Sequence, residues 1–259
     1  MEIRRKEAER YVESVLKTLD ILNCFENSDG LKLKELSSMT DLNKSRIIRL
    51  CGSLEAKGYL IYDTDSAVYR LGPKLLVLGM AYRRNNTLVS LARPSLKELS
   101  RLTGESVGLF TIDNSQRICL AKSIGTHSLH LYIVEGQRVE LYAGATGKVL
   151  LAYAPEDFVC KIINNKKLKK LTPNTIVDFK KFQKEFETIR RRGYAVSFGE
   201  RTLDTAAVAA PVFNHVNEVC AAIGLAGPIP RFLKEYQSKY IKAVMDAAQQ
   251  LSKNLGYGP

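Results

Sequence analysis

Long apolar runs are missing from this chain. No stretch of about 18 apolar residues occurs, so no membrane-spanning helix is expected. The N-terminus, MEIRRKEAERYVESV, is charged throughout and offers no apolar core for a signal peptide. Cysteine is sparse: Cys24, Cys51, Cys119, Cys160 and Cys220 are odd in number, far apart and mostly within apolar stretches. No CxxC pair occurs, which argues against a structural zinc site and a disulfide framework. Buried free thiols in a reducing cytoplasm fit this usage. Histidine is sparser still. His127 and His130 are spaced as HxxH, yet no third ligand accompanies them, and a metal needs three or four. They are expected to be ordinary polar residues, and no cofactor is expected. A Walker loop is absent too: Gly144 to Val149 reads GATGKV, which lacks the GxxxxGK[ST] spacing. Internal repeats and low-complexity segments are also lacking.

What is present is a globular composition, 45% apolar, in 259 residues, enough for one large or two ordinary domains. Ser14 to Glu26 is amphipathic at helical spacing, with Gly30 beyond it. Leu33, Leu36 and Met39 continue that spacing, and Thr40-Asp41 makes a tight turn in which Asp tolerates a left-handed backbone. Asn43 is a good N-cap for a second helix, in which Ile47, Leu50, Cys51 and Leu54 form one apolar face. Lys44, Ser45, Arg46, Arg49 and Ser53 lie on the other, and Gly58 closes the helix. Tyr59 to Tyr62 and Val68 to Leu71 alternate as two strands around Asp63 to Ala67. The pattern is a winged helix-turn-helix, whose second helix enters the major groove of DNA. Two short helices and a hairpin also occur in domains that bind nothing. The charges in the first two turns of the second helix, where base edges are reached, tip the reading toward DNA. The candidate contacts are Asn43, Lys44, Ser45, Arg46 and Arg49, with Tyr69 and Arg70 on the wing.

The formal charge is +12. Much of the excess lies elsewhere: Lys161 to Arg192 holds 11 Lys and Arg against 3 Asp and Glu. Its KKLKK and RRR runs are expected to be a solvated surface rather than a second DNA site, with the global charge adding non-specific attraction to DNA.

Pro73 suits the first turn of a new helix. Lys74 to Arg84 and Leu88 to Leu102 are helical by pattern, separated at Asn85-Asn86. The expected organisation is a DNA-binding domain over 1–72, a linker helix over 73–90 and a second domain over 91–259. In that domain Val107 to Ile112 and Ile118 to Lys122 are expected as a hairpin. Further strands are expected at Leu129 to Val134, Val139 to Tyr142, Tyr194 to Phe198, Ala206 to Phe213 and Val219 to Ala226. Helices are expected at Thr146 to Tyr153, Phe179 to Arg192 and Pro230 to Leu255. Strands paired with long flanking helices predict an α+β domain.

Several segments together resemble the IclR family of bacterial and archaeal transcription regulators. They are SVLKTLDIL, LKELSSMTDLNKSRIIRL, GYL and YRLG, then GATGKVLLAYAP, RRRGYAVSFGE, VAAPVFN and AAIGLAGPIPR, in family order from about Val12 to Gly256. The resemblance implies a winged helix-turn-helix joined by a linker helix to an effector-binding domain with a GAF-like or PAS-like sheet. It also implies a cytoplasmic homodimer, or a dimer of dimers (a homotetramer), that represses or activates catabolic operons. Operators of such proteins are double-stranded and pseudo-palindromic, and a small-molecule effector modulates the binding; no membrane is involved. This chain departs from the family pattern in two places. Asp41 replaces a turn glycine and Arg46 a small hydroxyl residue. Gly224, Ala226 and Ala207 occupy positions where members that bind small carboxylates present serines or a cysteine.

The expected effector pocket combines Ala145, Thr146 and Gly147 at a helix start with Glu200, Thr205, Ala207, Gly224 and Ala226. A helix N-terminus offers free N–H groups to an anion; the plain alternative is a helix that is simply capped. Because glycine and alanine cannot hydrogen-bond a buried carboxylate, an effector larger or less acidic than pyruvate or glyoxylate is expected, such as a sugar-derived or aromatic metabolite. Two rival classes stand beside this one. A Cys/His hydrolase would use Cys119 or Cys220 with His127 or His215, the helix-turn-helix then serving another interaction, but apolar strands disfavour a thiolate. A sequence-blind architectural DNA protein would leave the large second domain without a task.

Overall fold

A computed structural model describes residues 11–85, 87–163, 168–233 and 235–258 of the chain. The chain divides into two compact units, one ending at Asn85 and the other following it. Asn86, half of the expected helix break, lies outside the described residues.

The first unit opens with α1 (Glu13–Asn23), which passes into one turn of 3-10 helix over Cys24–Asn27, earlier than the expected end at Glu26. A two-residue strand β1 (Leu31–Lys32), not anticipated from the sequence, leads into α2 (Leu33–Thr40). Asp41 then adopts φ 56° and ψ 28°, the left-handed turn conformation expected for it. Asn43 caps α3 (Lys44–Ala56), its Oδ1 accepting from the Arg46 N–H at 2.9 Å. Strands β2 (Leu60–Asp63) and β3 (Val68–Leu71) form the wing, and β1 pairs with β3 to complete a three-stranded sheet. Ile21, Phe25, Leu36, Ile47, Cys51 and Leu60 close the core under these elements. Pro73 is the first residue of α4 (Pro73–Asn85).

The second unit begins with α5 (Thr87–Thr103), which runs through Pro94. Its sheet is built from β4 (Ser106–Asp113), β5 (Gln116–Ser123), β6 (Arg138–Glu140), β7 (Ala195–Phe198), β8 (Thr205–Phe213) and β9 (Val219–Pro228). Their order is β6-β5-β4-β9-β8-β7, antiparallel throughout. Side chains alternate across a strand, and the two faces have different covers. Ala206, Val208, Ala210, Ile223 and Leu225 pack with Leu96 of α5 and Val244 of α9 (Glu235–Asn254). Ala209 and Ala222 pack instead with α6 (Ala145–Ala152) and α8 (Phe179–Arg192). The result is a helix–sheet–helix α+β layer structure. A short α7 (Glu156–Ile163), absent from the sequence reading, flanks α8.

Three further elements of the second unit differ from expectation. Residues 129–134 form no strand. Two of their carbonyls are taken by side chains: Lys122 Nζ donates to Ile133 O at 2.6 Å, and Arg231 Nη2 to Leu129 O at 2.7 Å. The strand expected at Val139 to Tyr142 shrinks to β6, because Leu141 to Ala143 turn inward toward the start of α6 and are buried. The closing helix starts at Glu235, after one turn of 3-10 helix over Ile229–Phe232.

Candidate DNA interface and effector pocket

On α3 the apolar face is sunk in the core, with Ile47 and Cys51 at 0% exposure, and this forces Lys44, Ser45 and Arg49 outward. Arg46 is half-buried, and its Nη2 donates to Glu13 Oε1 at 2.9 Å across an exposed pair. A pair of that exposure contributes no more than about 1 kcal/mol, so a phosphate or a guanine edge can compete for Arg46. On the wing, Arg70 is exposed and its Nη1 donates to Asp29 O at 3.0 Å.

The second unit holds a cavity of about 130 Å³ where α6 starts above the sheet. The strand register builds its floor: Ser197 stands opposite Ala207, Ala207 opposite Ala226, and Ala209 opposite Gly224. Gly224 leaves the room that Thr146 fills. A Cβ there would lie 2.6 Å from Thr146 Cγ2 and 3.1 Å from Val208 O. Leu131, Tyr132 and Ile133, from the irregular segment, form part of the wall.

Two arginines line this cavity, and no carboxylate does. Arg117 is buried. Its Nη1 donates to Glu140 O at 2.8 Å and to Ala143 O at 2.5 Å. Its Nε has no partner, unlike the other buried side-chain nitrogens and oxygens among the described residues. Burial pushes the Arg117 guanidinium down to about 10; repulsion from Arg201 adds to this, and Glu140 and Glu200 oppose it. It therefore stays cationic at neutral pH. Arg201 is exposed at the rim and donates through Nε to Glu140 Oε2 at 3.2 Å.

Behind the cavity a buried ion pair fixes the start of α6. Lys148 Nζ donates to Glu200 Oε1 at 2.5 Å, to Glu185 Oε1 at 3.0 Å and to Val196 O at 2.8 Å. Glu200 Oε2 in turn accepts the Gly144 N–H at 3.0 Å. The first N–H groups of α6 thus have a fixed direction, with Gly144, Ala145 and Thr146 at the cavity wall.

Two family models match the chain in sequence order: the IclR helix-turn-helix domain over residues 14–64, and the C-terminal domain of the bacterial transcriptional regulator IclR over residues 80–253. The chain belongs to the IclR family. The HTH-type transcriptional regulator KipR of Bacillus subtilis is 34% identical over 245 residues, covering 95% of this chain and 98% of KipR. An IclR regulator of Alicyclobacillus acidocaldarius superposes with a TM-score of 0.85 at 27% identity, over 94% of this chain and 98% of that one. An IclR homologue of Microbacterium hydrocarbonoxydans, crystallised with 4-hydroxybenzoate, shares the fold with a TM-score of 0.83 at 19% identity, over 94% and 99% of the two chains. This IclR-family protein is a transcriptional regulator that binds DNA through its helix-turn-helix and a small-molecule effector in its C-terminal domain.

The hydrolase alternative finds no support in these relatives or in the geometry. Cys119 Sγ donates to Ala121 O and Cys220 Sγ to Val212 O. Burial raises both thiols, Cys119 to about 12. His130 turns its Nδ1 to His127 O at 2.9 Å.

Of the expected DNA contacts, Asn43, Lys44, Ser45, Arg46, Arg49 and Arg70 lie on one stretch of helix and its wing. Tyr69 does not join them. It is 6% exposed, in the core, its ring 4.7 Å from that of Tyr62. Neighbours on a strand point to opposite faces, so with Arg70 outward Tyr69 must face in. Of the expected pocket residues, Ala145, Thr146, Thr205, Ala207, Gly224 and Ala226 line one cavity. Gly147 and Glu200 do not line it. Gly147 is packed against Leu141 O and Arg117, where no Cβ would fit, and Glu200 is spent on Lys148 and Gly144. The reading missed Arg117, Ser197 and the segment with Tyr132. An arginine in period-two register with Cys119 and Ala121, on the buried face of a largely apolar strand, was the available signal for Arg117.

Proposed function

We propose that the effector is a metabolite about one ring in size carrying a single carboxylate, and that its acid group is held by Arg117 and the first N–H groups of α6. The observation that carries this is the buried Arg117 in the lining of a cavity that holds no carboxylate of its own, a guanidinium whose Nε is unmatched within the protein. A buried cationic donor without a partner is costly, and an anion supplies what it lacks. Charge-assisted bonds from a guanidinium are about twice as strong as neutral ones. A cavity of about 130 Å³ is close to the roughly 150 Å³ that accommodates a benzene ring. Of the two expected alternatives, a ligand larger or less acidic than pyruvate, this proposal takes the larger one, because Arg117 can offer the hydrogen bonds that Gly224 and Ala226 cannot. Calorimetry with 4-hydroxybenzoate and its neutral amide tests this. The acid should bind at least tenfold more tightly, and Arg117→Leu should abolish the difference. Equal binding of acid and amide overturns the reading.

The same proposal assigns Asn43, Lys44, Ser45, Arg46, Arg49 and Arg70 to DNA, in a cytoplasmic protein acting where the chromosome lies. It also assigns α4 to dimerisation within the expected 73–90 linker. Leu76, Val77, Leu78 and Met80 are 44–67% exposed on that helix, an apolar surface that a second chain would cover. One winged domain makes too few contacts for a unique site, so a dimer reading a pseudo-palindrome follows. Light scattering that finds only a 29.0 kDa species at micromolar concentration would sink the dimer.

A further inference from the structure

We propose that the exposed face of α8, carrying Lys180, Lys184 and Arg191, is a second contact surface for duplex DNA, binding phosphates without reading sequence. Phe182, Phe186 and Ile189 fix the inward side of α8 at 0–4% exposure. The helical repeat then sets Lys180, Lys184 and Arg191 together on the outward side, all three exposed, with Lys181 beside them.

A solvated helix usually intersperses both signs, and here the acidic half has been withdrawn. Glu185 is turned inward, accepting from Lys148 and facing Arg192. Only Glu187 remains exposed among the cations. The other arginines of the helix are occupied: Arg190 Nη1 donates to Ala152 O, and Arg192 Nε to Tyr194 O while its guanidinium covers the Tyr194 ring. No such partner exists for Lys180, Lys184 or Arg191 among the described residues. The placement also opposes local stability. Lys180 and Lys181 occupy the first turn of α8, where cations are repelled by the helix dipole, and the single carboxylate at that end is the Asp178 cap, whose Oδ1 accepts the Lys181 N–H. A docked polyanion removes both the mutual repulsion and the dipole penalty.

Duplex DNA is the polyanion this regulator is built to meet. Lys180 to Arg191 spans about 16 Å of helix axis, and duplex DNA presents one charge per roughly 1.7 Å, so all three cations can meet phosphates at once. The block was expected from sequence to be merely solvated; the loss of Glu185 to the interior is what the sequence did not reveal.

The test uses the full-length protein and a labelled random-sequence duplex, with affinity measured across a salt series by fluorescence anisotropy. The variant is K180Q/K184Q/R191Q. The control, K239Q/K242Q/K253Q, removes the same charge from exposed positions of α9. Each lost phosphate contact lowers the slope of log K against log salt by about 0.9. The α8 variant should therefore lose about 2–3 in slope, and the control much less. Equal losses in both variants would mean general charge alone and overturn the proposal, as would no loss in either. An unchanged DNA slope with lost binding to polyglutamate would assign the face to an acidic protein and overturn it too.

Discussion

The two units of this regulator hold their arginines in opposite ways. In the winged unit Arg46 lies at the surface, in a 2.9 Å pair with Glu13 whose partners are 37% and 70% exposed. In the effector unit Lys148 pairs with Glu200 at 3% and 8% exposure, and the neighbouring Arg117 is buried with one nitrogen unmatched. The same ion-pair chemistry thus serves two ends. A pair in high dielectric is weak and exchangeable, which suits the proposed transfer of Arg46 from Glu13 to DNA. A pair in low dielectric is strong only if both members stay, which suits a wall that must not move while an effector binds.

The largest expected effect breaks the buried side of this comparison. Lys148→Met leaves the buried Glu200 without its cation, while Glu185 keeps Arg192 at 3.6 Å, and should cost about 3–5 kcal/mol, read as a lowered urea midpoint at unchanged slope. A loss below 1 kcal/mol would place the pair with the exposed class. Gly224→Val comes next. Its new side chain meets Thr146 and the Val208 carbonyl, so about 1–3 kcal/mol of overpacking strain is expected, with effector binding lost and the winged unit's DNA affinity in the unliganded state retained.

Arg46→Ala sharpens the exposed side. It should weaken operator binding by about 1–3 kcal/mol and relax specificity at one base pair, while stability changes by less than about 1 kcal/mol. Native binding by both Arg46→Ala and Arg49→Ala would show that α3 is not the reading helix. A smaller effect concerns pH. Burial pushes the Cys51 and Cys119 thiols up to about 12. A thiol whose folded value is raised is held protonated by the fold. Its contribution is complete below the unfolded value near 8.5 and is lost as pH rises from there toward 12. Urea midpoints should fall across that window, and Ellman's reagent at pH 8 should label neither thiol before unfolding. The smallest expected effect is Tyr69→Phe. With Tyr69 in the core, DNA affinity should stay within about 0.5 kcal/mol, and a tenfold loss would return Tyr69 to the interface.

The winged unit was almost fully legible because its determinants are local. The Asp41 turn, the Asn43 cap and the Ile47, Cys51 and Leu54 stripe each act within one or two helical turns. The two-residue β1 was missed, having too few residues to show a pattern, and the face of Tyr69 was misread, since a four-residue strand does not announce which of its two sides meets the core. In the effector unit α8 was read residue for residue, its Asp178 cap and Gly193 stop being local signals too. The segment 129–134 was read as a strand because its apolar run carries no record of Lys122 and Arg231 taking its carbonyls.

Sequence by itself determined the family, the two-unit order, the helix-turn-helix and the small residues at positions 207, 224 and 226. Each of these depends on residue type and short spacing. Tertiary structure alone decided that Arg117 reaches a cavity built from β7, β8 and β9, that Glu200 is consumed by Lys148 rather than offered to a ligand, and that Glu185 is withdrawn from α8. Those outcomes depend on which charges share a low-dielectric interior, and residues separated by 52 positions, as Lys148 and Glu200 are, become neighbours only when β7, which leads to Glu200, pairs with β8 and the sheet packs against α6.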